Sequence, residues 1–273
     1  MVSSRDVATN LAAARQLLSQ AADAGAELAV LPEYFCLLGM KDTDKLAVAE
    51  PIFEPSAKPD ALGCKSGPLQ DFLAQCALDF KLWVVGGTIP LVASEPGKVT
   101  NTTLVFNPQG QCAARYDKMH LFCFDNGVER YDESRVLVPG RVPVTFALRS
   151  VDGHTWRVGL SVCYDLRFPE LYRALAADVL LVPSAFTHTT GQAHWELLLR
   201  TRAIENLAYV VASAQGGLHD NGRRTWGHTM VVDAWGEVLA QLAEGPGVVL
   251  ADLDRSQQAA RRLQLPALTH RVL

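Results

Sequence analysis

Short apolar runs of strand length recur along the chain, and several of them are followed by a residue with a reactive side chain. Residues 27–31 lead to Glu33, and residues 156–162 lead to Cys163. Between such runs lie stretches with apolar residues at helical spacing, such as residues 7–24. Strands that alternate with helices favour an α/β fold, in which loops at strand ends usually carry the working groups.

The same spacing arguments predict the other elements. We predict helices over residues 7–24, 68–80, 169–176 and about 193–207, strands over 27–31, 82–87, 156–162, 179–182 and 210–214, and hairpins that turn at 107–110 and 234–236. Residues 41–65 are polar and Pro-rich and are predicted to form a loop or a mixed segment, whereas residues 123–143 are polar and are predicted to form a loop. No repeat or linker interrupts the pattern, which predicts one domain over residues 1–273.

Composition excludes several classes of protein. Of the 273 residues, 49% are hydrophobic and 20% are charged, so the chain is not disordered. A net charge of −4 argues against a nucleic-acid binder. No apolar run approaches the ~20 residues of a membrane span. The six cysteines lack C-x-x-C spacing, and His188 and His194 lack the i, i+4 spacing of a metal pair, so we expect no metal and no cofactor. A charged start without a signal peptide predicts a cytoplasmic protein with free thiols.

Three reactive side chains follow apolar strands: Glu33, Lys118 and Cys163. A thiol is a strong nucleophile once a base removes its proton, and a buried carboxylate can serve as that base. An ammonium can hold the oxyanion that forms when a carbonyl is attacked. By spacing alone, a structural cysteine and two solvated charges are the commoner explanation, because cysteine is among the most often buried residues.

The residues on either side of these three side chains favour the catalytic explanation over the structural one. Residues 31–33 (Leu-Pro-Glu), 116–122 (Tyr-Asp-Lys-Met-His-Leu-Phe) and 161–170 (Ser-Val-Cys-Tyr-Asp-Leu-Arg-Phe-Pro-Glu) resemble the three signature segments of the nitrilase superfamily of carbon–nitrogen hydrolases. Their order and separation resemble that family too. The similarity continues through residues 183–187, 190–196, 202–206 and 227–233, so it covers essentially the whole chain.

The resemblance implies a catalytic set of Glu33, Lys118 and Cys163. A second glutamate of the family matches Glu133 best, with Glu129 as a neighbouring competitor. The implied fold is a four-layer α-β-β-α sandwich that assembles into a homodimer or a larger homo-oligomer.

The resemblance also implies where a small amide substrate binds. The backbone N–H of Tyr164 would help Lys118 to hold the oxyanion, and Phe186 and Thr187 could line the acyl pocket, although a plain loop role fits those two equally well. The reaction would pass through a thioester on Cys163.

The latter half of the chain resembles the branch of amidases that cleave deaminated glutathione to 2-oxoglutarate and cysteinylglycine. An ω-amidase acting on 2-oxoglutaramate is the nearest alternative, and an N-carbamoyl-amine hydrolase or a nitrilase is more remote. A catalytically silent interaction module on the same scaffold is the alternative outside the enzymes, and the presence of all three reactive side chains argues against it.

The chain departs from the family pattern at its start. Family members open with an apolar strand before the first helix, whereas Met1 falls in the loop that follows such a strand. We therefore expect the usual first strand to be missing, which would leave backbone groups of a neighbouring strand unpaired and the chain less stable. A misassigned start and a true loss of the strand both fit this pattern.

Overall fold

A computed structural model describes residues 1–51 and 67–272. Its helices are α1 (Val7–Asp23), α2 (Asp44–Ala47), α3 (Pro68–Phe80), α4 (Pro169–Leu175), α5 (His188–Asn206) and α6 (Arg255–Gln264). Within these residues, no helix combines the length and the apolar character that crossing a bilayer requires. The Asp6 side chain caps α1 by accepting from the backbone N–H of Thr9, and Pro68 occupies the first turn of α3.

The first sheet comes from the N-terminal half of the chain. Its strands are β1 (Leu28–Val30), β2 (Trp83–Val85), β3 (Ile89–Val92), β4 (Val99–Phe106) and β5 (Cys112–Asp117). β1 and β2 are parallel, and β4 pairs antiparallel with β2, β3 and β5.

The second sheet and two hairpins follow. They are built from β6 (Cys123–Asp125), β7 (Arg130–Asp132), β8 (Thr145–Arg149), β9 (Thr155–Leu160), β10 (Val179–Leu181), β11 (Tyr209–Ala212), β12 (Gly216–Leu218), β13 (Arg224–Trp226), β14 (Thr229–Val232) and β15 (Val238–Leu242). The sheet order is β15-β14-β11-β10-β9-β8, with β9, β10 and β11 parallel. β6 pairs with β7, and β12 pairs with β13.

The two sheets pack face to face between two layers of helices. Because side chains alternate along a strand, Ala29 of β1 packs with α1 and α3, whereas Leu28 and Val30 pack with the second sheet. On the far side, α4 and α5 cover the second sheet with buried side chains such as Tyr172 and Trp195. The expected α-β-β-α sandwich is confirmed.

The residues before α1 contact the second half of the chain. Among the described residues, α1 is the first regular element, and β1 is an edge strand that pairs with β2 alone. The carbonyl of Met1 accepts from the backbone N–H of Gly216, and the Ser3 backbone N–H donates to the Gln215 side chain. These contacts hold the first residues against the loop before β12.

Two of the sequence-based assignments were wrong. Residues 123–143 were expected to be a loop, yet β6 and β7 form a hairpin within them. The helix expected near residue 193 begins at His188, because the Thr187 side chain accepts from the backbone N–H of Thr190 and caps the helix earlier. Part of the predicted loop over residues 41–65 lies outside the described residues.

The packing of the second sheet makes a stability prediction. Leu180, in the middle of β10, is fully buried between β9 and β11. Leu180→Ala should lower the free energy of unfolding by about 2–5 kcal/mol, because it removes buried methyl groups and leaves a cavity. Leu197→Ala on the exposed face of α5 is the matched control and should change it by less than about 0.5 kcal/mol. If urea denaturation gave equal losses of unfolding free energy for Leu180→Ala and Leu197→Ala, this description of the packing would be contradicted.

Candidate active site

Glu33 lies in the loop directly after β1, and its side chain is 1% exposed. Its Oε1 accepts hydrogen bonds from Asn101 Nδ2 at 2.8 Å and from Lys118 Nζ at 3.0 Å. Its Oε2 accepts from the backbone N–H of Ala185 at 2.8 Å. Three donors thus orient the carboxylate and keep it in the acceptor role that a general base needs.

Lys118 follows β5, and its ammonium is buried between two carboxylates. The Nζ lies 3.0 Å from Glu33 Oε1 and 2.8 Å from Glu133 Oε2. Burial alone would lower the pKa of this ammonium, but the Glu133 and Glu33 carboxylates outweigh burial and raise the pKa well above its ordinary value. Lys118 is therefore positively charged at neutral pH, as a group that stabilises an oxyanion must be.

Glu133 holds Lys118 from the side opposite Glu33. It follows β7 and accepts from the Tyr34 hydroxyl at 2.9 Å and from the backbone N–H of Phe122 at 2.7 Å, besides the bonds from Lys118. Burial works to raise the pKa of this carboxyl, but the Lys118 ammonium overcomes it and holds the pKa below its ordinary value. Glu133 is therefore an anion at neutral pH.

Glu129 occupies a different place. Its oxygens accept from Thr189 Oγ1 at 2.8 Å and from the Tyr131 hydroxyl at 3.3 Å. Of the two glutamates considered from the sequence, the structure brings Glu133 to Lys118.

Cys163 begins a short 3₁₀ turn, Cys163–Arg167, just after β9. Its φ of 50° lies in the left-handed region, which a non-glycine residue adopts only when its surroundings hold it there. The backbone N–H of Cys163 donates to the Pro183 carbonyl at 3.0 Å and provides part of that restraint. This sharp turn at the strand end places the thiol in the pocket that Glu33 and Lys118 line.

Asp165 ties the cysteine turn to the lysine segment. The carboxylate is fully buried and accepts from the backbone N–H of Val162 at 2.8 Å and from the Tyr116 hydroxyl at 2.6 Å. Its other oxygen accepts from the backbone N–H of His120 at 3.0 Å. Val162 is adjacent to Cys163, and Tyr116 and His120 lie two residues before and after Lys118. Asp165 therefore fixes the position of the thiol relative to the ammonium.

The Cys163 thiol is protonated at rest. Burial raises its pKa well above the ordinary value, and the adjacent Glu33 carboxylate raises it further, while the Lys118 ammonium acts in the opposite direction. The site therefore holds a neutral thiol beside an acceptor carboxylate, not a preformed thiolate.

A pocket opens beside Cys163, and Glu33, Lys118 and Glu133 line it as well. All three residues expected to contact substrate, Tyr164, Phe186 and Thr187, line it. The Tyr164 ring packs edge-on against Phe122 with centroids 5.1 Å apart, which gives the pocket an aromatic wall.

Several residues of the site were not singled out from the sequence. Asn101 donates a hydrogen bond to Glu33, and the Tyr34 hydroxyl donates one to Glu133. Lys45 lines the pocket. Asp165 lies within the segment 161–170 but was given no role. The position of Asp165 two residues after the cysteine was the one local signal, whereas the other three depend on long-range convergence.

Other sequence-based inferences can be placed as well. On α5, Arg202 Nη1 lies 2.9 Å from Glu205 Oε1 and forms an ion pair within the helix. The His188 ring packs on Trp226, and His194 lies near the Arg167 guanidinium. Cys64 lies outside the described residues, and the five described cysteines are free.

Comparison with known proteins agrees with this site. A deaminated glutathione amidase from Synechocystis is 40% identical to this chain, and the alignment covers 100% of the chain and 96% of the relative. Saccharomyces cerevisiae Nit3, a nitrilase-superfamily member, has a TM-score of 0.85 and 30% identity, with coverage of 100% and 93%. A Glu-to-Gln variant of a Nesterenkonia amidase, solved with acrylamide added to its active-site cysteine, has a TM-score of 0.73 and 26% identity, with coverage of 97% and 95%.

The four-layer fold, with a carboxylate, an ammonium and a thiol at one pocket, is that of the enzymes that hydrolyse carbon–nitrogen bonds through a cysteine. The sequence model of the carbon-nitrogen hydrolase family matches residues 2–262. The chain belongs to that family.

The charge balance of the site can be tested by removing its cation. Lys118→Met leaves Glu33 and Glu133 buried without a counter-charge, and breaking a buried pair in this way costs about 3–5 kcal/mol. We expect that loss of unfolding free energy at pH 7. Because the folded-state pKa of Glu133 lies below its ordinary 4.5, its pairing stabilises wild type above that pH and is lost as the pH falls through the folded-state pKa. The deficit of the variant should therefore shrink in acid.

Lys98→Met is the matched control, because Lys98 pairs with a half-exposed Glu95. It should cost less than about 1 kcal/mol at any pH. Equal costs for the two variants in urea titrations at pH 7, or a deficit of Lys118→Met that grows in acid, would contradict the charge assignment.

Proposed function

We propose that this protein is a thiol-dependent amidase that hydrolyses deaminated glutathione to 2-oxoglutarate and cysteinylglycine. The observation that carries the proposal is the Lys118 ammonium held between Glu33 and Glu133 beside the Cys163 thiol. This arrangement supplies a nucleophile, a base and an oxyanion-stabilising charge within one pocket.

In the first half of the reaction, Glu33 takes the proton from the Cys163 thiol as the sulfur attacks the amide carbonyl carbon. Because the resting thiol is neutral, proton transfer accompanies the attack. The oxyanion is stabilised by the Lys118 ammonium and by the backbone N–H of Tyr164. Glu33 then gives its proton to the amide nitrogen, the carbon–nitrogen bond breaks, and the amine leaves a thioester on Cys163.

The second half uses the same groups on water. Glu33 removes a proton from a water molecule, and the oxygen attacks the thioester carbonyl. The sulfur leaves, regains the proton from Glu33, and the acid is released. Glu133 takes no proton in this scheme. Together with the Tyr34 hydroxyl it positions Lys118, which must keep its charge in both steps.

The substrate assignment is supported by the name of the Synechocystis relative and by the charge of the pocket mouth. Deaminated glutathione has a carboxylate at each end, and its leaving group is a dipeptide. The pocket is lined by the partly exposed side chains of Arg223 and Arg224. Arg223 pairs with Asp42 and Arg224 with Glu244, and the remaining N–H donors of each guanidinium can bind the dipeptide carboxylate. The rival substrate 2-oxoglutaramate shares the acyl part, but its leaving group is ammonia, which needs no such charge.

A homodimer or larger assembly, a cytoplasmic location and a single domain remain predictions from the sequence.

The function predicts how single-residue changes alter turnover. Cys163→Ala should reduce the release of 2-oxoglutarate from deaminated glutathione by more than about 1,000-fold, because Cys163 is the one cysteine among the described residues that lines the pocket. Its melting temperature should stay close to that of wild type. Cys123→Ala removes an exposed cysteine and serves as the control with unchanged turnover.

The same assay separates the two oxo-amides. We expect wild-type kcat/KM to be higher for deaminated glutathione than for 2-oxoglutaramate by about 10-fold or more, the value of one charge-assisted hydrogen bond. A higher kcat/KM for 2-oxoglutaramate, with release of ammonia, would assign an ω-amidase instead. Near-normal turnover by Cys163→Ala would overturn the mechanism.

A further inference from the structure

The pocket contains a second buried lysine that the mechanism does not use. Lys45 lies on α2 and lines the same pocket as Cys163, and the residue is 9% exposed. Its Nζ lies 4.2 Å from the centroid of the Tyr34 ring. Within residues 1–51 and 67–272, no carboxylate lies within 4.0 Å of this ammonium, in contrast to Lys118.

The nearby carboxylates are already engaged by other donors. Glu133 and Glu33 are both bonded to Lys118, and Asp42 pairs with Arg223 at 3.0 Å. Burial lowers the pKa of Lys45, and these carboxylates, at longer range, compensate for part of that effect. A buried cation gains most from an anion that comes into direct contact with it.

We propose that Lys45 binds the carboxylate of the acyl part of the substrate, the end that carries the 2-oxo acid. This inference rests on the proposed function. It adds a residue that selects the substrate to those that carry out the chemistry.

The assignment to the acyl part follows from the order in which the two products leave. The amine departs while the acyl group is still bound to Cys163, so the amine must have a path to solvent and the acyl group can remain enclosed. Lys45 is buried, whereas the Arg223 and Arg224 side chains are 38% and 52% exposed. The buried Lys45 therefore suits the acyl group, which stays bound to Cys163. The exposed Arg223 and Arg224 suit the amine product, which leaves first.

The location of Lys45 on the Tyr34 ring gives the contact a second consequence. Tyr34 uses its ring to contact Lys45 and its hydroxyl to hold Glu133, which in turn holds Lys118. A substrate carboxylate on Lys45 would therefore lie on the same rigid group that positions the oxyanion-stabilising ammonium. An acyl chain anchored there is held at both ends, at its carboxylate and at its reacting carbonyl.

The test compares charged and neutral amides in one variant. Lys45→Met should raise KM for both 2-oxoglutaramate and deaminated glutathione by about 10- to 100-fold, the value of a charge-assisted hydrogen bond, with a much smaller change in kcat. The inhibition constant of 2-oxoglutarate, a product that binds without reaction, should rise by the same factor. For butyramide, which has no carboxylate, kcat/KM should change by less than about threefold, because a lost fold or a displaced Lys118 would affect every amide equally.

Two further variants complete the design. Lys98→Met removes the same charge from a position outside the pocket, where Lys98 pairs with a half-exposed Glu95, and should change KM by less than about threefold. Lys45→Arg keeps the cation and should recover most of the affinity for 2-oxoglutarate. Melting temperatures of all variants show whether each is folded, and Lys45→Arg carries the comparison should the methionine variant not fold.

An unchanged KM in Lys45→Met, an equal loss in Lys98→Met, or an equal loss for butyramide would each overturn the assignment of Lys45. Those outcomes leave the proposed function intact, because wild type would still hydrolyse the oxo-amides. If folded wild type hydrolyses neither oxo-amide, the proposed function fails, and the assignment of Lys45 fails with it.

Discussion

The structure depends on one buried ammonium. Lys118 neutralises two buried carboxylates, Glu33 and Glu133, and it brings together segments that are 85 and 15 residues away in sequence. Glu33 comes from the edge of the first sheet and Cys163 from the middle of the second, so the site exists only when the two sheets are packed face to face. The ion pairs at Lys118 thus link the packing of the sandwich to its chemistry.

The same charges determine the resting state of the nucleophile. A thiolate beside Glu33 would place a second anion next to a carboxylate in a buried pocket, and the raised pKa of Cys163 reflects that cost. A neutral thiol is also the less easily oxidised form. In the proposed mechanism, the sulfur therefore stays unreactive until an amide carbonyl accepts its electron pair and the Lys118 ammonium stabilises the oxyanion.

How much could be read from the sequence depends on the range of the interaction. Helix α3 and the turn around Cys163 were predictable, because periodicity, Pro68 and the signature segments act within a few residues. The β6–β7 hairpin was missed because its residues are polar or exposed on both faces, so no alternation marks it. Tyr34 and Lys45 could not be assigned, since their roles come from contacts with residues far along the chain. The position of Asp165 was visible locally, yet the connection that it makes to the lysine segment was not.

The claim that this charge cluster directs reaction to one sulfur is tested most directly by trapping the intermediate. Wild-type protein is mixed with deaminated glutathione, quenched in acid during turnover, digested and analysed by mass spectrometry. We predict a 2-oxoglutaryl thioester on the peptide that contains Cys163, present while substrate remains and absent once it is consumed. Turnover without an adduct at Cys163, or an adduct on the exposed Cys123 instead, would contradict the account.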